Sequence, residues 1–274
     1  MQMKKLAALV VSVLVVACTT VQTTQPGVVG VDRKQTVSPL VDSKALTQEA
    51  GLQYQQTLQA AQKKSALNVD KAQTARVRRI ADRLIPTVAA FRPDAVNWKW
   101  EINVLSSKDV NAWCMPGGKI AVYTGLIETI KPTDDELAAV MGHEIAHALR
   151  EHAWERASKT ANAQLGIAVL GIALGQPDLT NSVGGMAYQA MFGLPNSREQ
   201  ETEADRIGVE LAARAGYDPR AAISLWDKMG RLSGGNQPPQ WLSTHPSNQS
   251  RQQDLAVYSQ KVMPLYEQAK AKGG

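Results

Sequence analysis

The run Leu137 to Leu149 sets two histidines and a carboxylate, His143-Glu144-Ile145-Ala146-His147, into an otherwise apolar stretch. Just before it, Thr133 to Glu136 reads Thr-x-x-Glu, a capping box that predicts a helix opening at Thr133 and running through about His152. Residues four apart share one face of a helix, so both imidazoles can reach a single ion. Val140, Met141, Ile145 and Ala146 predict that this helix is buried, and buried polar groups need partners. A shared metal ion satisfies both rings at once. Glu144, beside the first of them, is then placed to take a proton from an attacking water, the chemistry that this spacing supports with zinc. The chain holds only four histidines, which makes the pattern specific.

A catalytic zinc site needs a third protein ligand and an open fourth position. The acidic run Ser197-Arg198-Glu199-Gln200-Glu201-Thr202-Glu203-Ala204-Asp205 offers three glutamates. Glu201 and Asp205 share one helical face; Glu199 and Glu203 share another. Spacing favours Glu201 only slightly, because Asp205 could support a ligand from behind, and the other two remain open.

Around these motifs the chain divides into three parts. Residues 1–17 carry a short basic start and the apolar run Leu6 to Ala17, the form of an export signal. Val15-Val16-Ala17-Cys18 resembles the lipobox of bacterial lipoproteins, which predicts a lipid on Cys18 and a membrane anchor. Residues 18–41 then read as a flexible tether, and 42–274 as the catalytic domain. The expected location is the periplasm, anchored to the outer membrane. With Cys18 acylated, Cys114 is left without an intrachain disulfide partner and reads as a small buried hydrophobe.

Within the domain, helical periodicity covers Asp42 to Phe91, and Trp98, Trp100, Ile102 and Val104 alternate as a half-buried strand. Pro116-Gly117-Gly118 separates two extended runs, Val110 to Met115 and Lys119 to Thr124, and predicts a β-hairpin. Ala161 to Leu174 is too short to cross a bilayer and reads as a buried or interfacial helix. Residues 175–197 and 233–246 read as loops, with helices over 198–215, 219–232 and about 247–270. The fold class is α+β, mostly helical with a small sheet. Removing residues 1–17 lowers the net charge from +5 to +3, and no Lys/Arg block appears, which argues against nucleic acid as a partner. The oligomeric state is left open.

His143-Glu-x-x-His147 followed by Glu201-Thr-Glu-Ala-Asp205 resembles the gluzincin metallopeptidase family of HtpX, the CaaX prenyl proteases and the Oma type. Within that family it is similar to the soluble lipoprotein branch of BepA and LoiP. The likeness spans roughly residues 70–255 and takes in Asn111-Ala112, Pro116-Gly117-Gly118, Tyr123-Thr124-Gly125-Leu126, Ser243-Thr244-His245-Pro246 and Arg251. It implies a zincin-like fold and one zinc ion per chain, held by His143, His147 and Glu201. Glu144 would be the general base, and Asp205 would support a ligand histidine or donate a proton. The strand Lys119, Ile120, Ala121, Val122, Tyr123 would be an edge strand on which a polypeptide substrate adds as another strand. His245 and Arg251 are the candidates for oxyanion stabilisation. His245 has a second possible role, filling the fourth metal position as a latch. His152 is expected to be a surface or capping histidine. The function so implied is endoproteolysis of exported or outer-membrane proteins, misfolded ones among them. The rival is a periplasmic chaperone or assembly factor with a latched zinc site.

Overall fold

A computed structural model describes residues 19–173, 193–232, 240–245 and 249–273. The expected export signal, Cys18, and most of the two expected loops lie outside these residues. Strands β1 (Thr19–Val21) and β2 (Gln35–Val37) pair antiparallel at the start of the chain. Helices α1 (Ser43–Lys63) and α2 (Lys71–Leu84) follow, each opened by an aspartate: Asp42 accepts from Lys44 and Ala45 N–H, and Asp70 from Gln73 N–H. Two 3-10 turns, Ile85–Ala90 and Pro93–Asn97, lead into a sheet of β3 (Glu101–Leu105), β4 (Ala112–Met115) and β5 (Lys119–Tyr123). The remaining helices are α3 (Thr124–Ile130), α4 (Asp134–Leu149), α5 (His152–Ala173), α6 (Arg198–Arg214), α7 (Ala221–Leu232), α8 (Gln240–Thr244) and α9 (Gln249–Ala271). Among the described residues no helix is long and apolar enough to cross a membrane. The α+β, mostly helical expectation agrees with this architecture.

The hairpin at Pro116-Gly117-Gly118 forms as expected, with both glycines at φ near 80° and β4 antiparallel to β5. The strand order corrects another expectation. It runs β3-β5-β4, with β3 parallel to β5, so Lys119–Tyr123 is the central strand and not an edge. Its residues explain why. Ile120 and Val122 enter the main core, while Ala121 faces a second cluster with Ala50, Tyr54, Leu105, Trp113 and Met115 beneath α1. A strand with apolar residues on both faces belongs in the middle of a sheet. The edge beside the histidine helix is β4.

Helix α4 carries the expected capping box, with Thr133 and Glu136 bonded reciprocally. It stops at Leu149, three residues short of the expected His152, because Glu151 turns into the left-handed region at φ 51° and a new helix starts at His152. Helix α6 opens with a second capping box, Ser197 with Gln200. It crosses α4 at Gly142 and Gly208 with almost no space between backbones. A Cβ on Gly208 would lie 2.8 Å from His143 N, and one on Gly142 would lie 2.8 Å from Gly208 O. Two glycines are what allow the acidic face of α6 to reach the histidines of α4.

The segment expected to be a flexible tether is packed onto the domain instead. Val29, Val31, Val37, Gln35 and Ser38 are buried. Gln35 Nε2 and Thr23 Oγ1 both donate to Arg150 O (2.6 and 3.1 Å), and Val29 N–H donates to Glu210 (2.9 Å). Arg33 ties the segment down through paired hydrogen bonds to Glu155 and Glu203. Enough apolar surface and enough satisfied backbone are present to offset the ordering entropy that a tether would keep.

Gly208→Ala should push α6 away from α4. The expected cost is about 1–3 kcal/mol of stability, as in other overpacked sites, accompanied by weaker metal binding. Thermal unfolding with zinc titration would check both. The same change at Gly51, where an added Cβ meets nothing within 4 Å, should be neutral or stabilising.

Candidate metal centre

Helix α4 presents His143 and His147 one turn apart, and the Gly142–Gly208 crossing brings Glu201 of α6 against them. The Nε2 atoms of the two histidines are 3.0 Å apart. Glu201 Oε2 lies 3.5 Å from His143 Nε2 and Oε1 lies 3.3 Å from His147 Nε2. His245, just past α8, turns its own Nε2 to within 4.0 Å of Glu201 Oε1 and 3.5 Å of Glu144 Oε1. One ligand atom from each of His143, His147, Glu201 and His245 falls within 4.8 Å of every other, and all four residues are buried.

The tautomers follow from what holds the far side of each ring. Asp205 Oδ1 accepts from His143 Nδ1 at 3.0 Å, so His143 Nε2 keeps a lone pair. His245 Nδ1 donates to Trp241 O at 3.0 Å, which leaves its Nε2 bare in the same way. For His147 the partner is another histidine: its Nδ1 lies 2.7 Å from His152 Nδ1. His152 Nε2 lies 3.0 Å from Glu203 Oε2, which accepts its N–H hydrogen bond and so fixes His152 Nδ1 as the acceptor. Three imidazole lone pairs and a carboxylate therefore point at one spot. Glu201 Oε1 is buried and finds no hydrogen-bond donor among the described residues. A buried acceptor set of this kind has no reason to persist without a cation between its members. Nitrogen and carboxylate donors in this number suit zinc.

Electrostatics agree. Burial, with the neighbouring His143 adding to it, holds His147 well below the usual histidine value and so neutral. Burial does the same to His245. At His143 burial opposes the charge, but the Asp205 hydrogen bond and the Glu201, Asp205 and Glu144 charges outweigh it and favour a cation there. Burial pushes Glu144 up to about 7, opposed by His143 and by the Trp241 indole, whose Nε1–H donates to Glu144 Oε1 at 2.6 Å.

The structure brings His143, Glu144, His147, Glu201, Asp205 and His245 into one cluster. Arg251 is also there, but behind the ligands: it donates to both Asp205 oxygens at 2.7 Å, pairs with Glu201 Oε2 at 2.7 Å and lies over Trp226. It positions the acids and does not face a reacting carbonyl. Glu203 points away from the cluster, held low at about 2 despite burial by His152, Arg33 and Arg150. His152 was expected at the surface and is fully buried. Its role was missed because the left-handed Glu151, which folds it back onto His147, leaves no mark in the sequence. Trp241 was missed as well; indoles signal a core by default, and only the fold shows the Glu144 contact. Cys114 is half-buried, and the strand Lys119–Tyr123 does not line the centre.

Residues 71–258 match peptidase family M48. The chain is 41% identical over 177 residues to the mitochondrial metalloendopeptidase OMA1 of Arabidopsis thaliana, covering 63% of this chain and 34% of that protein. Its identity to OMA1 of Saccharomyces cerevisiae is 32% over 178 residues, 62% of this chain and 50% of the relative. To the beta-barrel assembly-enhancing protease of Escherichia coli it is 27% over 184 residues, 64% and 38% of the two chains. The chain thus spans about a third to a half of the length of these relatives. The expectation of a periplasmic lipoprotein anchored to the outer membrane is overturned by the same comparison, since the more identical relatives are mitochondrial enzymes.

Glu201→Ala should remove stoichiometric zinc, because it deletes a ligand. Glu203→Gln should retain zinc but bind it about 10–100-fold more weakly, the usual effect of disturbing a group that orients a ligand histidine. Competition with a chromophoric chelator measures both. Equal affinity in the Glu203 variant and the wild type would contradict the His147–His152–Glu203 assignment.

Proposed function

The chain belongs to peptidase family M48, and on that footing we propose that it is a zinc-dependent endopeptidase that cleaves extended polypeptide segments, one zinc ion serving each chain. The observation that carries this reading is the convergence of three bare Nε2 atoms and Glu201 Oε1 beside Glu144. When bound, zinc supplies a Lewis acid that polarises the scissile carbonyl and makes water easier to deprotonate at neutral pH.

The chain's own residues supply the rest. Glu144, raised to about 7, is poised to accept a proton from the attacking water and pass it to the leaving nitrogen. Trp241 fixes its orientation. Asp205, His152 and Trp241 O keep the three ring protons on the outward nitrogens, so the ligand nitrogens stay available. A cavity of about 90 Å³ lies over Glu144, His147 and His245, bounded by Cys114, Asn196 and Arg156. Edge strand β4 forms its wall, and a substrate added to that strand would carry its carbonyl past Glu144. Backbone pairing requires an extended chain, which favours unfolded or locally opened proteins as substrates.

His245 supports the latch. Its Nε2 stands with the two α4 histidines around Glu201, in the place that substrate needs. The resting enzyme is then closed, and α8 must move for catalysis. This contact is also what would support the rival reading of an assembly factor with little hydrolytic activity.

Glu144→Gln should keep zinc and lower cleavage of an unfolded protein by about 10²–10⁴-fold. His245→Ala should keep zinc and raise basal cleavage. The two are read together by single-turnover kinetics with zinc content measured on the same samples. A fall in the His245 variant would make that residue a participant in the reaction, and unchanged activity in Glu144→Gln would remove the mechanism.

A further inference from the structure

A second cavity, larger than the one over the metal centre, lies apart from it. It measures about 530 Å³, within the ordinary range for ligand sites, and lies between the start of α1, the β4–β5 turn and the α4–α5 junction. Three of its lining residues, Pro116, Ala148 and Glu151, also line a small cavity that reaches His147 and Cys114. That small cavity in turn shares Cys114, His147 and Arg156 with the one over Glu144. The three spaces form one run along β4, from the metal centre past Met115 to Gly117.

The walls of the large cavity are built, not incidental. Trp154 Nε1–H donates to Val41 O at 2.7 Å, and Ser43 Oγ and Arg92 Nη1 both hold the Glu151 carboxylate, at 3.1 and 2.7 Å. Trp98 and Trp154 provide aromatic surface. The rim is basic: Lys44, Arg92, Lys99 and Lys119 line the space against a single acid, Glu151. Arg92 and Lys119 have acidic partners, whereas Lys44 and Lys99 have none within ion-pair distance among the described residues. One wall comes from Ser43 to Gln48, which precede the residues matched by the peptidase family.

We propose that this cavity is a substrate subsite that takes an aromatic side chain flanked by acidic residues. The inference rests on the endopeptidase reading of the metal centre. A strand lying on β4 with its reacting carbonyl near Cys114 would reach Pro116–Gly117 two or three residues further along, roughly 7–10 Å at ~3.3 Å per residue. Its side chain there meets the cavity, with Trp98 and Trp154 receiving the ring and Lys44 and Lys99 meeting the flanking charges. A charged rim of this kind contributes selectivity and steering more than raw affinity.

Zinc-loaded Glu144→Gln protein lets binding be read without cleavage. Labelled extended peptides would carry Glu-Phe-Glu at either end, with Lys-Phe-Lys peptides as counterparts, and anisotropy would follow binding as salt is raised. The acidic peptide should bind at least about tenfold more tightly than the basic one, with the difference shrinking in salt. Lys44→Glu with Lys99→Glu, both exposed positions, should remove or reverse the preference. Trp98→Ala should weaken binding of both peptides by about two- to tenfold without changing the charge preference. Equal binding of acidic and basic peptides, or a preference that survives the double charge reversal, would overturn the subsite. Cleavage by the wild type distinguishes the two readings. Preferred binding without any hydrolysis contradicts the endopeptidase and leaves the subsite standing. Hydrolysis without the preference does the opposite.

Discussion

Everything at the centre depends on how closely α4 and α6 approach at Gly142 and Gly208. Each glycine faces the backbone of the other helix, with no room for a methyl group. That contact sets the height at which Glu201 and Asp205 meet His143. With a side chain at either position the two helices would have to part, drawing the carboxylates back from the histidines, and the lone pairs would no longer meet at one point. The desolvation of so many polar groups is tolerable only because the far side of each ligand is held, by Asp205 for His143, His152 for His147, Trp241 O for His245 and Arg251 for both acids, while the ion would satisfy the near side, Glu201 Oε1 included. A network with one member unsatisfied would cost more than an apolar core.

The partner chains extend well beyond the ligands. From His147 the line runs through His152 to Glu203, and there to Arg150 and Arg33. Arg150 is fully buried and donates to Thr24 Oγ1 and Arg33 O, so the first described residues of the chain contact the same acid that orients a ligand histidine. The N-terminal segment is thus part of the support of the centre. On the opposite side α1 covers the sheet through Tyr54, whose hydroxyl donates to Ile120 O at 2.9 Å, and contributes a wall of the large cavity.

The sequence disclosed what is local. The capping box at Thr133, the His143–His147 spacing and the Pro-Gly-Gly turn are all written within a few residues, and they appear where they were expected. Glu201 could not be separated from Glu199 and Glu203 by spacing, because the selection is made by the crossing at Gly208. The strand Lys119–Tyr123 was read as an edge although its unbroken Ile120-Ala121-Val122 run is the pattern of a strand buried on both faces; that signal was available. The turn at Glu151 and the docking of residues 19–41 were not legible, since both follow from tertiary contacts that override weak local preferences. The localisation failed for a different reason: a short apolar start and one cysteine say little about which compartment a chain occupies.

The central claim is that imidazole nitrogens and one carboxylate, with no sulfur, close on a single ion, and the zinc K-edge absorption spectrum of the purified protein tests it most directly. The account predicts nitrogen and oxygen donors only, at about 2.0–2.1 Å, with multiple-scattering features of three imidazoles and the loss of one of them in His245→Ala. A sulfur shell near about 2.3 Å, which would bring Cys114 into the coordination, or fewer than three imidazoles in the wild type, would contradict it.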